Sequence, residues 1–267
     1  MELIGYLLSG AAAGLISGLF GVGGGIIIVP ILSVVFAQLN FPTAHLMHLA
    51  IGTSLATIVV NAISSTRGHH RRANIDWSII KNTLLACVLG VILGAWLAAS
   101  IHSDHLKVVF SLFECMVAVK LLLEGSAEDH VSQSLSLSKL GSWAFGGFVG
   151  LISSLLGIGG GTVSVPVLMY LKMPTRRAIG TSAAIGLPIS IIGTISYIFT
   201  GWHIPQLPTY SLGFVYMPAF FGIALGSLFT TQLGVRLAHH LPIKILKKLL
   251  ATLLLVIGLK MLYSVLG

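Results

Sequence analysis

Two glycine turns, Gly21-Val22-Gly23-Gly24-Gly25 and Gly157-Ile158-Gly159-Gly160-Gly161, are where the backbone of this sequence could itself do chemistry. Each opens a short apolar stretch that contains a proline, Pro30 or Pro166. Glycine lets backbone amides come close to a ligand. The first N–H groups of a helix lack intrahelical acceptors, and the helix dipole adds partial positive charge there. Two such ends, at Gly21–Gly25 and Gly157–Gly161, predict an anion site. A competing reading is tight helix packing in the small-xxx-small manner, as Gly10, Gly14 and Gly18 or Gly146 and Gly150 suggest. That reading accounts for close packing, but not for a triple glycine at the same break in two places. Nucleotide binding is excluded. Neither turn continues into Gly-Lys-Ser/Thr, and Ile26 and Thr162 stand where a dinucleotide fingerprint needs its third glycine.

A second matched feature is Thr53-Ser54 and Thr181-Ser182, each preceded by Ile-Gly. A hydroxyl in an apolar helix either bonds its own preceding turn or donates to a ligand. Repetition after each glycine turn adds these four residues to the site. Glu114 is the one acid placed well inside an apolar run, where an unpaired charge is expensive and an ionisable group implies function, here a coupling proton. A paired or protonated structural carboxyl is the alternative. His45, His48, His69, His70, His239 and His240 lie near segment ends and read as solvated or headgroup-facing. Cys87 and Cys115 lie inside apolar runs without metal spacing, so neither a disulfide, a metal centre nor a cofactor is expected. No nucleophile–base pair, metal cluster or carboxylate pair lies within the runs, so an enzyme is not expected.

The elements that position these groups follow from composition. Of the 267 residues 55% are hydrophobic and 8% charged, with a mean hydropathy of +0.99, which marks lipid as the solvent. Apolar runs of roughly 14 to 23 residues match a hydrocarbon core about 30 Å thick. Backbone satisfaction in lipid, and the absence of strand-like alternation, leave helices. Runs are predicted at 3–20, 23–38, 44–65, 79–101 and 105–124. After a polar stretch they return at 140–157, 159–171, 178–200, 211–234 and 243–264. The stretch Gly14–Pro30 aligns with Gly150–Pro166 at eleven of seventeen identical positions, and Gly90/Gly94 with Gly222/Gly226. The fold class is therefore an all-α polytopic membrane protein of 8–10 membrane segments. It is read as two repeats, 1–124 and 140–267, around a polar linker at 125–139.

Orientation rests on the first two runs. A single span over residues 3–38 would be a rod of about 54 Å, too long for the core, so a hairpin broken at the glycines fits better. With hairpins in both halves, Arg67/Arg71/Arg72, Lys172/Arg176/Arg177 and Arg236/Lys244/Lys247/Lys248 all fall on one side, with Lys107 as an exception. Positive loops stay cytoplasmic, so both termini are placed outside, linker and basic loops inside, and the repeats are inverted, as in many secondary transporters. The N-terminal run reads as a retained first helix. Trp77, Trp143 and Trp202 read as interfacial anchors. The net charge of +8 belongs to these topology signals, not to nucleic-acid binding. Arg176 and Arg177 either concentrate anions at the cytoplasmic mouth or serve topology alone. The glycine pairs could join helices within one subunit or between copies, so a homo-oligomer stays open.

The two glycine hairpins ending in Val-Pro, with the two Ile-Gly-Thr-Ser stretches, resemble the sulfite exporter TauE/SafE family of membrane permeases over nearly the whole chain. The resemblance implies a secondary transporter of the cytoplasmic membrane for sulfite or a related sulfur-containing anion. It places Gly23–Gly25 and Gly159–Gly161 along the anion path, with Thr53, Ser54, Thr181 and Ser182 beside it. An anion channel, or a permease for a non-sulfur organic anion, is the alternative.

Overall fold

The computed structural model describes residues 2–20, 24–123, 138–240 and 243–266. Helices dominate: α1 (Glu2–Phe20), α2 (Gly25–Gln38), α3 (Leu46–Arg71), α4 (Trp77–Ser100), α5 (Ser103–Leu123), α6 (Lys139–Leu156), α7 (Gly161–Tyr170), α8 (Thr175–Gly201), α9 (Met217–His240) and α10 (Ile243–Leu266). Among the described residues, five helices are long and apolar enough to cross a membrane. Exposed Leu85, Leu89, Trp96, Leu112, Met116, Val256 and Leu259 form an apolar exterior suited to lipid. The chain is a multi-pass membrane protein.

Local chemistry sets the helix ends. Asp76 caps α4 by accepting from the Ser78 and Ile79 N–H groups, and Ser138 caps α6 by accepting from Gly141 N–H. α6 stops at Gly157, whose left-handed φ of 70° closes the helix. The short helices α2 and α7 end alike: Phe41 N–H reaches the Phe36 carbonyl, Met173 N–H the Leu168 carbonyl, and a proline follows one residue later. At 14 and 10 residues they span only about 21 and 15 Å, less than the hydrocarbon thickness.

Glycine seams fix the packing. α1 lies along α9, where Gly10 faces the Ile223 backbone and Gly226 the Leu7 carbonyl. α4 lies along α6, where Gly90 faces the Gly147 carbonyl and Gly150 the Cys87 carbonyl. Both seams are within one chain. Under the sequence repeat, α1 corresponds to α6 and α4 to α9, so the two seams are one packing arrangement used twice. α3 packs on α8 and α5 on α10, each against its own counterpart. α3 is central, with 83% of its apolar window buried against 28% for the window in α10.

Two elements differ from the sequence expectation. The run expected over 211–234 starts with a small antiparallel hairpin, β1 (Ser211–Leu212) and β2 (Val215–Tyr216), turned at Gly213 with φ 55°. The helix begins only at Met217, because the stretch before it turns at Gly213 and is seated against Gly52 of α3 and Gly201 of α8. α3 also continues past residue 65 to Arg71, so Arg67 and Arg71 lie on its last turns and not in a loop. Residues 124–137, most of the expected linker, lie outside the described residues.

Candidate functional site

The two glycine breaks meet. A Cβ on Gly25 would stand 2.5 Å from the Gly157 carbonyl oxygen and 2.9 Å from Ile158 Cα, so the start of α2 rests directly on the α6–α7 turn. Gly24 and Gly160 are the residues just ahead of α2 and α7, with φ of 85° and 78°, a conformation that disfavours any side chain. Their carbonyls accept from Ile27 and Ile28, and from Val163 and Ser164, which starts both helices. The N–H groups of Gly25, Ile26, Gly161 and Thr162 precede the first possible intrahelical acceptor and carry the positive end of each dipole. Pro30 and Pro166 remove one further donor in each helix, from the Ile26 and Thr162 carbonyls. Gly23 lies outside the described residues. Ile58 of α3 touches both breaks, its methyls 2.8 Å from the positions a Cβ would take on Gly25 and Gly159. The Gly159 carbonyl packs on Gly186 of α8.

The four matched hydroxyls divide their work. Ser54 Oγ donates to the Gly157 carbonyl at 2.9 Å, tying α3 to the break itself. Ser182 shares a hydrogen bond with Ser164, two turns from the Thr175 end of α8 and one turn into α7. Thr53 and Thr181 instead hold connections. Thr53 Oγ1 accepts from Tyr216 N–H of the β-hairpin at 2.9 Å, and Thr181 Oγ1 accepts from Asp76 N–H at the same distance. The preceding glycines complete the match. Gly52 receives the Phe214 carbonyl and Gly180 the Asn74 carbonyl. Each half thus clasps the connection between the third and fourth helices of the other, α3–α4 or α8–α9.

Glu114 is fully buried, and neither carboxylate oxygen has a hydrogen-bond partner among the described residues. It lies on the α5–α10 seam, its Cβ 3.3 Å from where a Cβ on Gly258 would sit. One turn along α5, Ala118 shares an apolar cluster with Ile26 and Ile27 of α2. Through that cluster the α5–α10 seam meets α2. Arg177 is paired with Asp76 at 3.2 Å, so its charge is partly spent on the α3–α4 connection.

Among the described residues, three buried polar atoms near the breaks have no partner: Thr162 Oγ1 in the first turn of α7, Ser153 Oγ in the last turn of α6, and Asn61 Nδ2 on α3. Burying an unpaired hydroxyl or amide costs about 1–3 kcal/mol, so three together mark a place that expects polar company. The sequence signalled Thr162 by its contrast with Ile26 in the repeat. Ser153 and Asn61 were not among the sequence candidates, and their one signal is that they are polar residues in apolar runs. Among the described residues there is no cluster of metal-binding side chains.

The profile of the sulfite exporter TauE/SafE family matches residues 6–261. A protein of Haemophilus influenzae named "Probable membrane transporter protein" is 38% identical over 255 residues, covering 96% of both chains. A protein of Methanocaldococcus jannaschii with the same description is 30% identical over 260 residues, covering 96% of this chain and 94% of its own. One from Bacillus subtilis is 26% identical over 281 residues, covering 99% and 98%. No solved structure gives a significant match. These relatives are described as transporters and not as enzymes, in keeping with a chain whose paired features are helix ends and hydroxyls. By a match that runs through both glycine breaks and both clasps, the chain belongs to the sulfite exporter TauE/SafE family of membrane transporters.

Proposed function

We propose that the protein is a secondary transporter moving sulfite, or a related sulfur-containing small anion such as a sulfonate, across the cytoplasmic membrane. The observation that carries this reading is the contact of the two glycine breaks, Gly25 on Gly157 and Ile158, which brings two dipole-bearing helix starts to one place. Gly24, Gly25, Gly159, Gly160 and Gly161 supply backbone, Ser54 and Ser182 bound the site, and Thr162 offers a hydroxyl. Gly23 joins this set by its place in the motif. Thr53 and Thr181 act on it through the connections they hold.

Partial charges suit transport, because a full buried cation would hold an anion more tightly and slow its release. The two halves, 1–124 and 140–267, work as inverted repeats joined by a cytoplasmic linker at 125–139, with both termini outside. Alternating access is the opening of one clasp while the other stays closed. Glu114, buried without a partner and packed one turn from the α2 cluster, carries the coupling proton.

Radiolabelled sulfite flux into proteoliposomes, with and without a pH gradient, tests substrate and coupling together. Gradient-driven accumulation inhibited by sulfonate is expected, and Glu114→Gln should keep sulfite exchange while losing accumulation. Flux that never concentrates sulfite would replace the carrier with a channel. No sulfite flux in folded protein would send the substrate search to non-sulfur organic anions.

A further inference from the structure

Beyond the glycine breaks, α3 carries a polar stripe that its repeat counterpart lacks. Asn61, Ser64, Arg67 and Arg71 follow one another at three- and four-residue steps, so they share a face. The corresponding positions of α8, aligned from Ile51-Gly-Thr-Ser and Ile179-Gly-Thr-Ser, are Ile189, Ile192, Ile195 and Phe199. At these four positions of two helices that pack on each other, polarity stands on α3 alone.

That stripe borders a cavity of about 500 Å³, whose walls include Val60, Ser64, Arg67 and Arg71 of α3 and Leu228 of α9. Among the described residues neither guanidinium is in an ion pair, whereas Arg177 has Asp76. Next to the cavity, Asn61 is 5% exposed, its Oδ1 accepting from Ser227 Oγ at 3.1 Å while Nδ2 has no partner among the described residues. One turn deeper, Ile58 touches Gly25 and Gly159. From Arg71 to Ile58 the helix rises about 20 Å, so the stripe runs from the cavity mouth to the breaks.

A guanidinium offers a planar fork of donors that fits an oxyanion, and a cleft of one charge sign raises the local concentration of its counter-ion. We propose that Arg67 and Arg71 form a loading site for the transported oxyanion, passed along Ser64 and Asn61 to the glycine breaks. This rests on the anion-transport reading above. It assigns the two arginines a task beyond topology, and it makes the path chemically one-sided.

The test has two arms. In sulfite flux, Arg67→Gln with Arg71→Gln should raise KM roughly tenfold or more with Vmax little changed, as expected when local concentration is lost. Arg67→Lys should recover part of it. An unchanged KM overturns the proposal. The second arm needs no transport. Wild-type protein in phosphatidylcholine nanodiscs is treated with phenylglyoxal, and modification is read by mass spectrometry. Sulfate or methanesulfonate is the protecting anion, since sulfite would add to the reagent. Protection of Arg67 and Arg71 relative to Arg72 and Arg176, equally exposed but outside the cavity lining, supports the site, even where the wild type moves no sulfite and the substrate reading fails. Protection that appears only with phosphatidylglycerol, and not with added anion, assigns the arginines to lipid headgroups and overturns the loading role. No protection under either condition does the same.

Discussion

At the scale of single residues, the site is made by what is missing. Gly25 has no room for a methyl group, because its neighbours there are the Gly157 carbonyl and the Ile158 backbone, which cannot swing aside. Gly25→Ala should therefore push α2 off the α6–α7 turn, lowering the melting temperature in detergent and cutting flux by at least tenfold, as overpacking of about 1–3 kcal/mol implies. Gly5→Ala, with nothing within 4 Å of the new carbon, should leave both unchanged. Thr162 separates binding from folding. Its hydroxyl has no partner among the described residues, so Thr162→Val removes no protein hydrogen bond and should keep or slightly raise the melting temperature. Sulfite affinity should nonetheless fall about fivefold, as the loss of one hydrogen bond worth about 1 kcal/mol predicts. An unchanged KM would remove Thr162 from the anion path. The repetition of the triple glycines pointed to the two breaks that the structure brings into contact. The roles of Thr53 and Thr181 were not legible, because a hydroxyl looks the same in sequence whether it donates to a ligand or accepts from a backbone amide more than a hundred residues away.

At the scale of elements, each clasp is held by a few polar contacts. The β-hairpin is held on α3 by Thr53 and by the Phe214 carbonyl over Gly52. The α3–α4 connection is held on α8 by Thr181, by Asn74 over Gly180 and by the Arg177–Asp76 ion pair. Replacing either threonine by valine leaves an N–H without its acceptor at a cost of about 1–3 kcal/mol. Thr53→Val should speed hydrogen exchange across residues 211–216 and spare 72–76, and Thr181→Val should do the reverse. Exchange rising at both places in either variant would mean general loosening and not two separate gates. The helices themselves were largely readable, since runs rich in Leu, Ile and Gly have one stable form in lipid. Two boundaries were not. The apolar Ser211–Tyr216 stretch fits a helix as well as a strand by hydropathy alone, and only its seat against Gly52 and Gly201 decides. Polarity rises after residue 65 of α3, yet helical hydrogen bonding continues to Arg71, because leaving the hydrocarbon does not end a helix.

At the scale of the whole molecule, the structure and the repeat together restrict how the chain can sit in a bilayer. α3 and α8 pack on each other, and each receives near its N-terminal end a connection from the other half: the β-hairpin at Gly52 and the α3–α4 connection at Gly180. If the halves are inverted, those two clasps lie on opposite faces of the membrane. The basic residues choose the sign. Arg67, Arg71 and Arg72 flank one clasp and Lys172, Arg176 and Arg177 lead into the helix it grips, while residues 201–210 before the other clasp contain no Lys or Arg. Positive charge near a span end holds that end in the cytoplasm, so the α3–α4 connection should be inside and the hairpin outside. Single cysteines at exposed Ala73 and Tyr210, in a chain with Cys87 and Cys115 replaced by serine, make this measurable. A membrane-impermeant maleimide should label Tyr210→Cys in intact right-side-out vesicles and Ala73→Cys only after permeabilisation. The opposite pattern would keep the inverted halves but put the Arg67–Arg71 cavity on the outer face, turning a loading site for export into one for uptake. Labelling of both from the same side would reject the inversion, and with it the idea that opening one clasp and then the other carries an anion across.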